Sequence, residues 1–216
     1  MTHLVKAVLI AVIAAGAGIG ALTEISSFFT KRAAVAARND TLRAELNEHS
    51  AAVETLLRDE MCDRGLTYSQ LFDRGEDRLR RIDDVIIRLR TADLGEPQQT
   101  SATAYAVQLY MVLARDLNAN RRALEAEAQM EAVNAAFKSL AYYERRRIDP
   151  DSYARQSVND AMGEQEQADA DAKQAYRIFG SKLKDMRAFQ RQEKRHLADY
   201  RLVDDALLGE LIKALS

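Results

Sequence analysis

The chain has 216 residues, of which 47% are hydrophobic and 30% are charged, and its net charge at neutral pH is -2. These values exclude a disordered polymer and a multi-span membrane protein, and the lack of an overall positive charge disfavours nucleic acid as a partner. Only two prolines and nine glycines interrupt a sequence rich in Ala, Arg, Glu, Asp, Gln and Leu, which predicts an all-α protein.

The N-terminal segment is apolar, because residues 7–22 carry no charged or strongly polar side chain. A run of ~20 apolar residues spans the hydrocarbon core of a bilayer. Aromatic and basic residues typical of a membrane boundary come directly after it, namely Phe28, Phe29, Lys31 and Arg32. We therefore predict a single transmembrane helix as a membrane anchor within residues 1–30, and a helical bundle over residues 31–216.

Small residues recur at four-residue spacing inside this apolar segment. Gly16 and Gly20 form a G-x-x-x-G motif, and Ala17 and Ala21 lie beside them. Such a face lets two helices approach closely in lipid. These four residues are the candidate site for helix pairing and self-association.

Two other interpretations of the N-terminal segment stay open. It is also compatible with a cleaved signal peptide, with residues 15–17 as the cleavage site, and with a helix buried inside a soluble oligomer. For an anchor, the excess of Lys and Arg after the segment favours a cytoplasmic bundle. A short tail bearing Lys6 before an Ala/Gly-rich run is instead typical of a signal anchor that exports the rest of the chain. We predict an anchored protein of the bacterial inner-membrane type with an exported, periplasmic bundle.

Apolar residues recur every three to four positions along the rest of the chain, which predicts four amphipathic helices. The first continues from the apolar segment to about Met61 and ends near Gly65. Thr67 and Gln70 form a capping box that starts the second helix.

The third and fourth helices are the longest. A loop at residues 93–100, containing Gly and Pro, precedes a third helix at about residues 102–147. A break at residues 149–152 precedes the fourth helix, whose apolar pattern continues to Leu211.

Short connections between long amphipathic helices predict antiparallel packing in an elongated bundle. We predict that Leu117 and Phe137 are both buried in the seam of the third helix. The seam of the fourth helix is alanine-rich, with Ala161, Ala168, Ala172 and Ala175. Residues 163–173 are polar on nearly every face, which indicates either a solvated protrusion or a contact with another subunit.

No residue pattern points to a catalytic, cofactor or metal site. Glu193 with His196, and Glu45 with His49, have a helical spacing found in metal sites, but a di-iron bundle requires two Glu-x-x-His motifs and further glutamates. The adjacent acids at 83–84 and 204–205 diverge around a helix, so we interpret them as surface charge. We predict a non-enzymatic protein without a cofactor or small-molecule substrate.

Three consecutive arginines, Arg145, Arg146 and Arg147, end the third helix. Positive charge is stabilising at the negative C-terminal end of a helix. The same residues are the candidate contact for an acidic protein partner or for anionic lipid headgroups.

These features together predict a membrane-anchored helical scaffold or accessory subunit of a membrane-associated assembly, which acts through protein–protein binding. The alternative is a membrane-active helical protein, a pore former or remodelling factor, that inserts its apolar N-terminus on assembly. The two hypotheses differ in extraction, because a pore former is isolable as a water-soluble monomer whereas an anchored subunit requires detergent.

Overall fold

The structure, a computed structural model, describes residues 19–61, 68–146 and 152–215. Nearly all of these residues lie in five α-helices: α1 Ile19–Met61, α2 Tyr68–Arg90, α3 Glu96–Arg145, α4 Ser152–Gln192 and α5 Asp205–Ala214. No strand occurs in these three ranges. The predicted all-α class is confirmed, with four long helices and one short one.

The chain divides into two compact units, Met1–Leu42 and Arg43–Ser216. The described part of the first unit is the N-terminal part of α1. Phe28 and Phe29 are both exposed there, and their rings meet edge to face with centroids 6.0 Å apart. The guanidinium of Arg32 lies 5.6 Å from the ring centroid of Phe28, which is the geometry of a cation–π contact.

The predicted membrane anchor lies mostly outside the described residues, which begin at Ile19. Among the helices that the structure describes, none has a segment both long enough and apolar enough to cross a bilayer. The transmembrane helix at residues 7–22 therefore stays a prediction.

The helices of the second unit pack as an antiparallel bundle. Polar pairs join neighbouring helices in chain order: Glu45 with Arg88, Glu76 with Arg121, and Asn120 with Tyr176. The largest fully buried side chains come from all four long helices, for example Leu57, Ile82, Tyr105, Leu109, Phe179 and Leu183. Full burial of one such side chain contributes about 1.5–3 kcal/mol, so this shared apolar core holds the bundle together.

The connection between α2 and α3 is shorter than the predicted loop at residues 93–100. The third helix already begins at Glu96, so Pro97 lies in its first turn. The missing N–H of a proline costs nothing there, because the first helical N–H groups have no partner within the helix. Gly95 supplies the turn with a φ of 84°, which glycine adopts without strain.

The predicted continuation of the fourth helix to Leu211 is wrong. α4 ends at Gln192, residues 194–199 form turns, and residues 201–204 have no regular secondary structure before α5. Leu197 and Tyr200 are nevertheless buried, and the N–H of Tyr200 donates to the Leu197 carbonyl at 3.0 Å. These tight turns keep apolar side chains at a three-residue spacing, so the sequence pattern does not reveal where the helix stops.

Candidate interaction surface

The second unit has a two-helix extension that we call the arm, formed by residues 121–145 of α3 and 152–175 of α4. Its root is marked by hydrogen bonds: the Tyr176 hydroxyl donates to Oδ1 of Asn120 at 3.2 Å. Nδ2 of Asn120 donates in turn to the backbone carbonyl of Asp116 at 3.2 Å. From this root the arm extends for about 36 Å to its tip, where α3 ends at Arg145 and α4 begins at Ser152.

A narrow buried seam joins the two helices of the arm. The buried side chains in its described part are all small: Ala126, Val133, Val158, Ala172 and Ala175. The prediction of an alanine-rich seam is thereby confirmed for Ala172 and Ala175. Small side chains let the helices approach, but each buries little apolar area, so the arm is less strongly stabilised than the core.

Large apolar side chains lie exposed along the arm, in contrast to the core. They are Met130, Phe137, Tyr142, Tyr153 and Met162. The prediction that Phe137 is buried is therefore wrong, because 46% of this residue is exposed. The buried stripe of α3 in the arm contains Ala126 and Val133, and Phe137, four positions after Val133, lies just outside it.

Three of the exposed residues share one position relative to the seam. Each comes four positions after a buried seam residue: Met130 after Ala126, Phe137 after Val133, and Met162 after Val158. Residues four apart are surface neighbours on a helix, so all three flank the seam. Two antiparallel helices are related by a local two-fold axis that lies between them. Residues at the same offset from a seam residue therefore lie on the same side of the helix pair. We call this side, defined by Met130, Phe137 and Met162, the Phe137 face.

The tip of the arm combines exposed aromatic rings with positive charge. Tyr142 and Tyr153 are both exposed, at 52% and 79%. The predicted contact residues Arg145 and Arg146 are exposed beside them, and the guanidinium of Arg146 lies 5.0 Å from the ring centroid of Tyr142. Arg147 lies outside the described residues. Aromatic rings and arginine are typical of binding surfaces.

The predicted helix-pairing residues lie at the edge of the described chain. Gly16 and Ala17 fall outside it, and Gly20 and Ala21 lie in the first turn of α1. The pairing hypothesis therefore stays a prediction.

The first carboxylate–histidine pair does meet in space. Oε2 of Glu193 lies 3.0 Å from Nδ1 of His196 and accepts a hydrogen bond from the Ser101 hydroxyl at 2.8 Å. The hydrogen bond with His196, followed by that from Ser101, holds the pKa of the Glu193 carboxyl below its usual value. The pair lies directly after α4, which ends at Gln192, and Glu193 links it to Ser101 of α3.

In the second pair, Glu45 and His49 each bind an arginine. Glu45 forms a two-pronged ion pair with Arg88, and Nδ1 of His49 accepts a hydrogen bond from Nη1 of Arg78 at 2.8 Å. Within the described ranges, no group of three or more His, Cys, Asp or Glu side chains is placed to hold a metal ion.

The adjacent acids Asp204 and Asp205, interpreted above as surface charge, hold α5 in place. Oδ1 of Asp204 accepts from the N–H of Ala206 at 2.9 Å and caps the helix. Asp205 accepts hydrogen bonds from Arg187 and Arg191, which hold the pKa of its carboxyl well below the usual value. An acidic pair before a run of apolar residues is an N-cap signal, so the sequence did contain this information.

Comparisons with protein-family profiles, with curated proteins and with solved structures find no match to this chain. The surface features themselves therefore carry the functional inference.

Proposed function

We propose that this protein is a non-enzymatic, membrane-anchored helical scaffold or accessory subunit that acts through protein–protein binding, with the arm as its binding element. The observation that carries the proposal is the distribution of exposed apolar side chains. Of the nine large exposed hydrophobic residues in the described part of the chain, five lie on the arm. Isolated exposed apolar residues are ordinary, but a cluster on one projecting element is typical of an interaction site.

The composition of the arm supports a binding role over a structural one. Its buried seam is made of alanine and valine, whereas five of its methionine, phenylalanine and tyrosine side chains are exposed. A helix pair evolved only for stability would place its largest apolar side chains inside, where burial is most favourable. Met, Tyr and Phe are also enriched at protein interfaces.

Three of the remaining exposed hydrophobic residues support the anchor. Phe28, Phe29 and Val35 lie on the part of α1 that comes after the apolar run at residues 7–22, and Arg32 lies among them. Aromatic and basic side chains in this order suit the boundary of a bilayer.

The binding role is tested with the full-length chain by native electrophoresis of detergent extracts and by crosslinking in the producing cells. The chain and a control variant, Ile87→Ser, should both be found in an assembly larger than one chain. The control removes a residue that is 55% exposed but lies on α2, outside the arm. The double variant Phe137→Ser, Met162→Ser should lose the assembly while keeping its helical content. A chain that is monomeric in both experiments, or a double variant that assembles like the control, refutes the binding role.

The anchor is tested separately by carbonate extraction. The full chain should stay in the membrane pellet, and a variant without residues 1–30 should be released. Purification of the unaltered chain as a water-soluble monomer that later inserts into vesicles would instead support the membrane-active alternative.

A further inference from the structure

We infer that one face of the N-terminal part of α1 binds the anionic headgroups of a lipid bilayer. This inference rests on the proposed function, because it names the class of lipid that the anchored chain contacts. The arrangement of basic and aromatic side chains between residues 28 and 38 carries it.

This stretch of α1 is exposed on all of its sides. Every residue from Phe28 to Arg38 is exposed, although together they form about three turns of a continuous helix. The exposed fraction is 58% for Phe28, 52% for Phe29 and 37% for Val35, which are its large apolar residues. Neighbouring exposed apolar side chains are typical of a surface that binds a partner or a membrane.

The basic residues of this stretch share one face of the helix with two of its apolar residues. The positions three, four, seven and ten residues after Phe28 hold Lys31, Arg32, Val35 and Arg38. On an α-helix these offsets fall within an arc of about 120°. We call these five residues the Phe28 face.

The opposite side of the helix is small and uncharged. It consists of Thr30, Ala33, Ala34 and Ala37. Ala36 and Phe29 lie beside the Phe28 face, and the ring of Phe29 meets that of Phe28 edge to face. This stretch of α1 therefore has one basic and aromatic side and one neutral side.

The charge around the Phe28 face is positive. The nearest acidic residues are Glu24, one turn before Phe28 on the same side, and Asp40, which comes after the face. From Glu24 to Arg43 the sequence has four basic residues against two acidic ones, in a chain whose net charge is -2. Clustered Lys and Arg residues next to a membrane attract anionic lipids.

Arg32 and Phe28 combine the two kinds of contact that a bilayer surface offers. The guanidinium of Arg32 lies 5.6 Å from the ring centroid of Phe28. A phenyl ring is stable at the boundary between headgroups and acyl chains, and a long basic side chain keeps its charge among the phosphates. Phe28 comes six residues, about 9 Å along the helix, after the apolar run at residues 7–22. In an anchored chain this distance brings the Phe28 face to the level of the headgroups.

The length of the Phe28 face indicates how the helix meets the bilayer. Phe28 and Arg38 lie about 15 Å apart along the helix axis, whereas the headgroup layer on each side of a bilayer is about 5–8 Å thick. A helix perpendicular to the bilayer would carry Arg38 beyond this layer. An inclined helix keeps the whole Phe28 face against the headgroups and leaves the neutral side in water.

A second copy of this chain does not suit the same face. All three charges of the face are positive, so two copies would place positive charge against positive charge in either orientation. An acidic protein surface would offer complementary charge, and the experiments below separate it from lipid.

The contact is tested with tryptophan fluorescence, because the chain contains no tryptophan of its own. Full-length Phe28→Trp is reconstituted in vesicles of phosphatidylcholine, alone or mixed with an equal amount of phosphatidylglycerol. A lipid with a nitroxide quencher on its headgroup should quench the fluorescence about twofold more strongly in the anionic vesicles. The matched control is Thr30→Trp, which is exposed and lies only about 3 Å further along the axis, but on the neutral side. It should be quenched weakly in both.

Two results would overturn the inference. One is equal quenching of Phe28→Trp in the two kinds of vesicle, which would show that the face does not recognise anionic lipid. The other is equal quenching of Phe28→Trp and Thr30→Trp in the anionic vesicles, which would show that the helix has no lipid-facing side.

The role of the basic residues is tested in the Phe28→Trp chain by replacing two of them. Lys31→Gln with Arg32→Gln should abolish the additional quenching in anionic vesicles. Arg80→Gln with Arg81→Gln is the control, because it removes the same charge from an adjacent exposed pair on α2. It should keep the additional quenching. Equal losses in the two double variants would assign the effect to the charge of the whole chain and contradict the role of the Phe28 face.

Flotation of the same vesicles separates failure of this inference from failure of the proposed anchor. A chain that floats with neither kind of vesicle refutes the anchor and the inference together. A chain that floats with both, but whose Phe28→Trp quenching does not depend on phosphatidylglycerol, loses only the inference. If Lys31→Gln with Arg32→Gln then also disrupts the cellular assembly, the partner of the Phe28 face is an acidic protein and not lipid.

Discussion

The hydroxyl of Tyr105, fully buried on α3, accepts a hydrogen bond from the backbone N–H of Val203 at 3.1 Å. It also donates to the backbone carbonyl of Arg201 at 3.3 Å. The side-chain amide of Gln190, oriented to satisfy both groups, meets the N–H and carbonyl of Val203 at 3.1 and 3.2 Å. The segment that comes after α4 is thus held to the core through its backbone. Burial also raises the pKa of the Tyr105 hydroxyl to about 12.

Removing this hydroxyl should loosen the C-terminal segment. Tyr105→Phe keeps the ring but leaves buried backbone groups less well satisfied, and we expect a loss of about 1–2 kcal/mol in the free energy of unfolding. Urea denaturation followed by circular dichroism measures it. Tyr110→Phe is the control, because Tyr110 lies on the same helix but is only partly buried. Equal losses for both variants would show that the Tyr105 hydrogen bonds add nothing.

His49 should make the bundle sensitive to mild acid. It is buried, and burial, followed by the nearby guanidinium of Arg78, lowers the pKa of its imidazole. The carboxylates of Glu48 and Glu45 oppose this shift, and Arg81 adds to it. The folded chain therefore binds a proton at this site less readily than the unfolded chain. The stabilisation is complete above the unfolded pKa of about 6.5 and is lost as pH falls below it.

We therefore expect the midpoint temperature of thermal unfolding to decrease as the pH is lowered from about 7.5 to about 5.5. The decrease should be smaller in His49→Gln. The control variant His196→Gln, whose ring is half exposed, should keep the full pH dependence. The lowered pKa values of Glu48, Glu193 and Asp205 act in a lower window, below about pH 4.5. An unchanged pH dependence in His49→Gln would place the proton uptake elsewhere.

Gly75 on α2 and Leu117 on α3 should be energetically coupled. A Cβ atom on Gly75 would lie 2.6 and 2.7 Å from the two Cδ atoms of Leu117, which is buried. Gly75→Ala should cost about 1–3 kcal/mol through overpacking, and Leu117→Ala about 2–5 kcal/mol through the cavity it leaves. In the double variant the added methyl group fills part of that cavity, so the total cost should be about 1–2 kcal/mol below the sum. Strictly additive unfolding free energies would contradict this packing.

The contrast between Leu117 and Phe137 shows how far the sequence predicts this fold. Both residues lie on the apolar repeat of α3, and that repeat correctly predicts the helix and its antiparallel packing. It does not predict how many other helices cover each stretch. Leu117 is covered because Gly75 of α2 lies against it, whereas Phe137 lies 16 residues beyond Arg121, where the structure shows an ion pair of α3 with α2. The polar run at residues 163–173 indicates that few helices pack against this part of α4, since a helix with polar residues on nearly every face has few neighbours.

The arrangement of the candidate surface was less predictable than the fold. The sequence points to Arg145 and Arg146 as contact residues because a basic cluster at a helix end is a local feature, and their contact role stays a prediction. The Phe137 face depends on residues from two helices about 25 positions apart, and on the register between them. That register is set by pairs such as Asn120 with Tyr176, which no local pattern encodes.

Asp205 should hold α5 against α4 through its charge. Arg187 donates to both of its carboxylate oxygens at 2.8 Å, and Arg191 adds bonds at 3.2 and 2.9 Å. Asp205→Asn keeps the shape of the side chain but removes its charge. We therefore expect the substitution to increase the rate of amide hydrogen exchange more in α5 than in the rest of the bundle. Because the pKa of Asp205 is lowered in the folded chain, its contribution is present above the unfolded value of about 3.9 and fades as pH falls below it.

The difference in unfolding free energy between Asp205→Asn and the original chain should therefore be largest at neutral pH and small at about pH 3. High salt should also reduce it, because the three side chains are partly exposed to solvent. The matched control is Asp185→Asn. It breaks the ion pair of Asp185 with Lys182, which lies within α4. It should leave exchange in α5 unchanged. Two outcomes would contradict this role of Asp205: equal effects of the two variants on exchange in α5, or a difference in unfolding free energy that persists at about pH 3. Either outcome would show that α5 is attached by its buried leucines and not by the charge of Asp205. These leucines are Leu207, Leu208 and Leu211.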